Sequence, residues 1–191
     1  MCSSLRFLLP VLVLLAACDT VDDGEIGPGD AELTLTGDVD DDFEGDAFYT
    51  TFNDNGTPVF ALLFFRGDLS DSDRDDYAFA AVSRPGDRPG VGVFTISDEG
   101  SNPDLFRGQY ADLEDADEPE ARGPVLSARE GVLTITRFDN GLLNGSFRFE
   151  GRGLDLPDRS TFINATVSGT FEARAVSPDL LRSTGIDFDF D

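Results

Sequence analysis

Apolar and polar residues alternate with a period of two along much of this chain. Leu33 and Leu35 alternate with Thr34 and Thr36. In residues 162–174, Ile163, Ala165, Val167, Phe171 and Ala173 fall on one side. Asn164, Thr166, Ser168, Thr170 and Glu172 fall on the other. Successive side chains of a strand point to opposite faces, so this pattern predicts strands with one face buried. Residues 143–150 repeat it, with Phe147 and Phe149 on one face and Arg148 and Glu150 on the other. Further strands are expected at 47–52, 77–82, 91–96 and 132–138, and a short one around Phe106 and Tyr110. Residues 59–65 (Val-Phe-Ala-Leu-Leu-Phe-Phe) are apolar without alternation, which predicts a central strand buried on both sides. Asp139-Asn140-Gly141 predicts a turn, because Asn and Gly tolerate positive φ. Residues 112–120 read as an acidic loop or a short helix capped by Pro119. No long stretch carries a helical period, and no convincing internal repeat is present.

Around nine or ten strands in one domain follow, and their short connections imply antiparallel pairing. An all-β fold is expected, a single antiparallel β-sandwich or a flattened barrel. The expected division is a signal at 1–17, a lipidated Cys and flexible acidic tether at 18–30, the β domain at 31–176 and an acidic tail at 177–191. The tail ends Ile186-Asp-Phe-Asp-Phe-Asp191, another alternation. Docking with Phe188 and Phe190 seated is the favoured reading. A disordered tail and a recognition strand that adds to another sheet are the alternatives.

The amino-terminal stretch sets the address. Arg6 precedes an apolar run over residues 7–15, interrupted by Pro10. That run is too short to span a bilayer, which needs roughly 20 apolar residues. Leu15-Ala16-Ala17-Cys18 follows and resembles the lipobox of bacterial lipoproteins. The resemblance implies cleavage after Ala17, diacylation of the Cys18 thiol and acylation of the new amino terminus. Cleavage after Ala17 by the ordinary signal peptidase would place Leu15 where a small residue is wanted. Acyl chains anchor stably, since each buried methylene contributes about 0.8 kcal/mol. The acidic residues Asp19, Asp22, Asp23 and Glu25 suit export to the outer membrane, with the facing side left open; Asp19 alone resembles an inner-membrane retention signal.

Charge narrows the partners. The chain carries 38 Asp plus Glu against 14 basic residues, with no His and no Trp. All the basic residues are Arg. Without Arg6 the mature chain stands at about −25, by the charge count of its residues. Unaided binding to nucleic acid or anionic lipid is excluded. High salt would screen the self-repulsion, so a halophilic source is expected. With Cys2 in the signal and Cys18 lipidated, no thiol remains for a disulfide, a metal or catalysis.

Candidate chemistry is sparse. Asp71, Asp73 and Asp75 have the alternating spacing of a calcium loop, but the sixth position is Asp76 and the twelfth Val82. Asp38, Asp40 and Asp42 meet Phe43 and Tyr49 at those positions. A solvated acidic loop is the plainer reading of both; Asp71, Asp73 and Asp75 stand as the candidate Ca2+ ligands, and no other cofactor is expected. A carboxylate pair for glycoside hydrolysis has no mark in the sequence, and Glu150 and Glu172 point outward on their strands. The lack of His excludes a Ser-His-Asp triad, and the lack of Lys a Ser–Lys dyad. Tyr49, Tyr77 and Tyr110 would suit a ligand face or half-buried packing.

The strand-and-turn motifs carry a resemblance. Gly131-Val-Leu-Thr-Ile-Thr-Arg-Phe-Asp, Leu143-Asn-Gly-Ser-Phe-Arg-Phe and Thr166-Val-Ser-Gly-Thr-Phe-Glu-Ala are similar to the C-terminal half of small β-rich lipoproteins of Bacteroidota-like bacteria. Pro89-Gly-Val-Gly-Val-Phe-Thr-Ile is similar to an upstream element of the same proteins. The resemblance covers about half of the mature chain and implies no catalytic residues. The expected function is a lipid-anchored, non-enzymatic structural or interaction module of the cell envelope. The alternative is a surface binding protein for a divalent cation or a glycan, and a hydrolase comes third. Acyl chains would supply the membrane partner; protein or glycan partners are not named by the sequence.

Overall fold

The alternating runs become strands, and the strands close on themselves. The computed structural model describes residues 29–66, 77–99, 102–114, 122–157 and 160–179, apart from the side chain of Tyr77. Nine strands lie within them. They are β1 (Gly29–Gly37), β2 (Asp41–Asp54), β3 (Thr57–Arg66), β4 (Tyr77–Pro85), β5 (Gly92–Ser97), β6 (Arg107–Leu113), β7 (Gly123–Asp139), β8 (Leu142–Leu156) and β9 (Phe162–Ala175).

Around the ring the order is β7-β6-β4-β3-β2-β1-β9-β8, and β8 pairs again with β7. The fold is thus all-β and antiparallel, but the sheet is a closed eight-stranded barrel with one extra strand, not a sandwich. The sandwich reading is corrected by these pairings: β7 bonds both β6 and β8, and β9 bonds both β8 and β1. Closure removes the free edges that two stacked sheets would leave. The extra strand, β5, pairs with residues 130–135 of β7, beyond the stretch that β6 occupies at 125–127.

Two hairpins are set by local chemistry. Asn55 and Gly56 have φ of 47° and 89°, and Asn140 and Gly141 have 50° and 78°. Consecutive positive φ values define the turn that matches strand twist, and Asn-Gly adopts it at low cost. The expected turn at Asn140-Gly141 is present.

Eight strands leave an interior just wide enough for side chains, and rings fill it. Phe64 is fully buried and stacks on Phe147 at 4.9 Å, with Phe171 at 5.4 Å. All the inward residues expected on β9 (Ile163, Ala165, Val167, Phe171, Ala173) are buried.

Residues 59–65 are all buried, as their unbroken apolarity predicted. Phe60, Leu62 and Phe64 belong to the barrel core. Ala61, Leu63 and Phe65 point outward, into a second cluster with Phe48, Ala81 and Val176.

Strand limits differ from expectation in several places, among them Asp112 and Leu113, which close β6 instead of opening a loop. β1 begins at Gly29, so Gly29 and Asp30 belong to a strand and not to the tether. β2 begins at Asp41, so most of the acidic run 38–46 is strand: Phe43 turns inward and is buried while Asp42 and Glu44 are exposed. β7 starts well before residue 132, because a register shift between Ala128 and Glu130 breaks its alternation. The signal, Cys18, Asp71, Asp73, Asp75, residues 115–120 and the tail from Leu180 lie outside the described residues.

Candidate functional site: the charged mouth of the barrel

Strand direction sorts the connections. The β1–β2, β3–β4, β6–β7 and β8–β9 connections all leave one end of the barrel. The acidic runs 38–42, 68–76 and 112–120 fall on these connections or beside them. The opposite end holds the two Asn-Gly turns.

At the acidic end, three interior rows finish in charged residues. Phe43, Phe64 and Tyr110 are interior aromatics on β2, β3 and β6. Side chains two apart share a face, so Asp41, Arg66 and Asp112 point into the same mouth. Arg66 forms ion pairs with both acids: Nη2 to Asp41 Oδ2, and Nη1 to Asp112 Oδ2 at 3.0 Å. The Tyr110 hydroxyl lies 3.3 Å from Asp41 Oδ2 and 3.4 Å from Asp112 Oδ2. The Arg66 guanidinium carbon also sits 5.3 Å from the Phe43 ring centroid, and Phe43 stacks on Tyr110 at 6.5 Å.

Electrostatics follow from burial. Desolvation pushes the Asp112 carboxyl above its ordinary pKa; Arg66 opposes this, and the neighbouring Asp41 adds to it. Burial also raises Tyr110, helped by the charges of Asp112 and Asp41, so its hydroxyl stays a donor. Burial alone would lower Arg66, but Asp112 and Asp41 outweigh it and raise the guanidinium further.

This cluster is a plug more than a cleft. The cation sits between the two carboxylates, where a hydrolase would need space for a substrate and a water. The neighbouring acids are also committed. Asp38 Oδ2 accepts from the Asn164 amide at 2.8 Å, and Asp40 Oδ1 accepts from the Gly37 amide at 3.1 Å. They turn to different partners, and among the described residues no group of three or more His, Cys, Asp or Glu is placed to hold a metal.

The other end is closed by stacking. The Arg84 guanidinium lies 5.2 Å from the Phe106 centroid and 5.9 Å from that of Phe94. Arg88 covers Phe138 at 3.4 Å, and the Tyr49 hydroxyl donates to the Gly141 carbonyl at 3.2 Å.

Of the residues singled out by sequence pattern, Asp71, Asp73 and Asp75 lie outside the described residues, and the others scatter over the barrel. Glu150 and Glu172 do face outward, and Glu172 accepts from Asn144 at 2.8 Å. Tyr49 and Tyr110 are buried inside the barrel, so neither lines a ligand face. Sequence reasoning missed the Asp41–Arg66–Asp112 cluster.

No family model matches the chain, and no curated protein or solved structure matches it.

Proposed function

We propose that this protein is a lipid-anchored module of the bacterial cell envelope, held by acyl chains on Cys18 and acting through its outer surface without catalysis. The observation that carries the non-catalytic part is the filled barrel. Rings occupy its centre, an ion-pair plug occupies one mouth, and Arg–Phe stacks close the other. A barrel whose described interior is packed in this way offers its wall and its connecting loops to a partner. Leu15-Ala16-Ala17-Cys18 and the acidic residues after it support the anchor and an outer-membrane location. The strand motifs at 131–139, 143–149 and 166–173 support kinship with small β-rich lipoproteins.

Fractionation of cells making the full chain tests the anchor. The native protein should sediment with membranes and be released by detergent but not by salt. Cys18→Ser should move it to the soluble fraction. A Cys18→Ser chain that stays in the membrane fraction would remove the acyl anchor from the reading.

A second reading has its own observation: the β1–β2, β3–β4 and β6–β7 connections, on or beside which the sequence carries its three acidic runs, join strand ends at one end of the barrel. In that reading the end takes a divalent cation, with Asp71, Asp73 and Asp75 as Ca2+ ligands, or a glycan coordinated through one. Unfolding at matched ionic strength separates the two. A rise in midpoint with sub-millimolar CaCl2, lost in Asp73→Asn, favours cation binding. A response to molar NaCl alone favours a screened acidic surface.

A further inference from the structure

The same tripeptide makes both hairpin turns. Asp54-Asn55-Gly56 joins β2 to β3, and Asp139-Asn140-Gly141 joins β7 to β8. Each is a two-residue turn, with Asp54 opposite Thr57 and Asp139 opposite Leu142. Their φ values nearly match, at 47° and 89° against 50° and 78°. Local chemistry is therefore alike in the two, and the surroundings differ. The second turn is pinned. The Tyr49 hydroxyl donates to the Gly141 carbonyl at 3.2 Å, the Arg88 guanidinium lies 3.4 Å from the Phe138 ring centroid, and Tyr49 meets that ring edge-on at 6.2 Å. Leu143, two residues past Gly141, is fully buried. In the first turn every residue from Asn53 to Pro58 is exposed. The Asn55 amide nitrogen donates to Asp54 Oδ1 at 3.1 Å, within the turn itself.

We propose that Asn55 is a site of spontaneous deamidation, and that tertiary contacts protect Asn140 from the same reaction. The Gly56 backbone nitrogen gives its proton to solvent base and attacks Asn55 Cγ. The new C–N bond closes a succinimide ring, the Cγ–Nδ2 bond breaks, and the leaving nitrogen takes a proton from solvent and departs as ammonia. Water then opens either ring carbonyl, giving aspartate or isoaspartate. The sum is one water consumed and one ammonia released. Glycine permits the attack because no Cβ crowds the nitrogen. Ring closure needs the Asn ψ rotated well away from the value of about +30° that such a turn holds, so the turn must open first. Opening is a local event whose cost depends on the contacts it breaks. The β2–β3 turn opens into solvent, whereas the β7–β8 turn must first release Tyr49 and Arg88. Each conversion adds a negative charge. Isoaspartate also lengthens the main chain of a two-residue turn at the hairpin that leads into the buried strand β3.

The test incubates the purified full chain in mildly alkaline buffer made with heavy-oxygen water, which marks every conversion that occurs during the incubation. Peptide mass spectrometry follows both turns. The native chain is compared with Tyr49→Phe and with the native chain unfolded in urea, and circular dichroism checks the fold. The proposal expects Asn55 to convert at least about fivefold faster than Asn140 in the folded chain, since protection reports local opening. The two rates should converge in urea, where only the shared tripeptide acts. Tyr49→Phe should speed Asn140 by about two- to tenfold, the effect of one hydrogen bond on the open fraction, and leave Asn55 unchanged. If Tyr49→Phe does not fold, Arg88→Ala takes its place. Asn55 converting no faster than Asn140 in the folded chain, rates that stay apart in urea, or an Asn140 rate unmoved by loss of the contact would each overturn the proposal.

Discussion

Replacing Arg66 by Met removes the cation from the mouth and keeps a stem of similar length over Phe43. The carboxylates of Asp41 and Asp112 and the Tyr110 hydroxyl then face one another with no positive charge between them. The side chains of Arg66, Asp41 and Asp112 are 39%, 28% and 23% exposed. Solvent screens such a cluster in part. An exposed pair contributes about 0–1 kcal/mol, and breaking a buried one costs about 3–5. The partly buried mouth lies between, and a loss of about 1–2 kcal/mol is expected at pH 7 and low salt. For a domain of this size each kcal/mol shifts Tm by about 2–4 °C, so the drop should be about 2–8 °C. Urea or thermal unfolding measures it. The second variant, R66M/D112N, removes one of the two repelling charges and should recover at least half of the loss. An R66M chain as stable as the native one, or a double variant no better than R66M, would refute the reading of Arg66 as the bridge that closes the mouth.

Three further outcomes follow from the same geometry. Burial raises the Asp112 pKa in the folded state, so the folded chain binds this proton more tightly than the unfolded one. Its contribution to stability therefore grows as pH falls from neutral through the folded value and is lost as pH rises. The stability of D112N relative to the native chain should fall as pH is lowered from 7 toward 4, measured by urea midpoints; a pH-independent gap would contradict this. Phe64 is fully buried against Phe147 and Phe171, so Phe64→Ala should cost about 3–5 kcal/mol of unfolding free energy, and a cost below about 1 kcal/mol would mean that the barrel centre is not packed as described. A Cβ on Gly108 would lie 2.9 Å from the Ala128 Cβ and 3.0 Å from the Phe149 ring, so Gly108→Val should destabilise by about 1–3 kcal/mol through overpacking, whereas an unchanged urea midpoint would show that the β6–β7 wall can yield there.

The fold was legible wherever alternation ran unbroken. β8 and β9 could be read side chain by side chain, because period two survives intact from residues 143 to 150 and from 162 to 174. β7 was half legible. Its register shift after Ala128 puts two residues opposite one partner and reverses the phase, so the run before Gly131 did not look like the run after it. Closure was ambiguous because local pattern reports which face is buried, not which distant strand lies alongside. The pairing of β9 with both β8 and β1 joins residues far apart in the chain.

The charged mouth was hidden for the same reason. Arg66 meets Asp41 and Asp112 across separations of 25 and 46 residues. A local signal did exist. Asp41, Arg66 and Asp112 each stand two residues from an inward aromatic (Phe43, Phe64 and Tyr110), so each shares the buried face of its strand. Counting the acids as loops hid that parity.

The proposed anchor on Cys18 would decide where this barrel works, and the amino terminus of the mature protein tests it most directly. Protein extracted from bacterial membranes by detergent would be digested, and its first peptide measured by mass spectrometry. The account predicts a peptide that begins at Cys18 and carries a diacylglyceryl group on sulfur, with or without a third acyl chain on the amino group. A mature chain that begins elsewhere, or a Cys18 recovered without lipid, would contradict it.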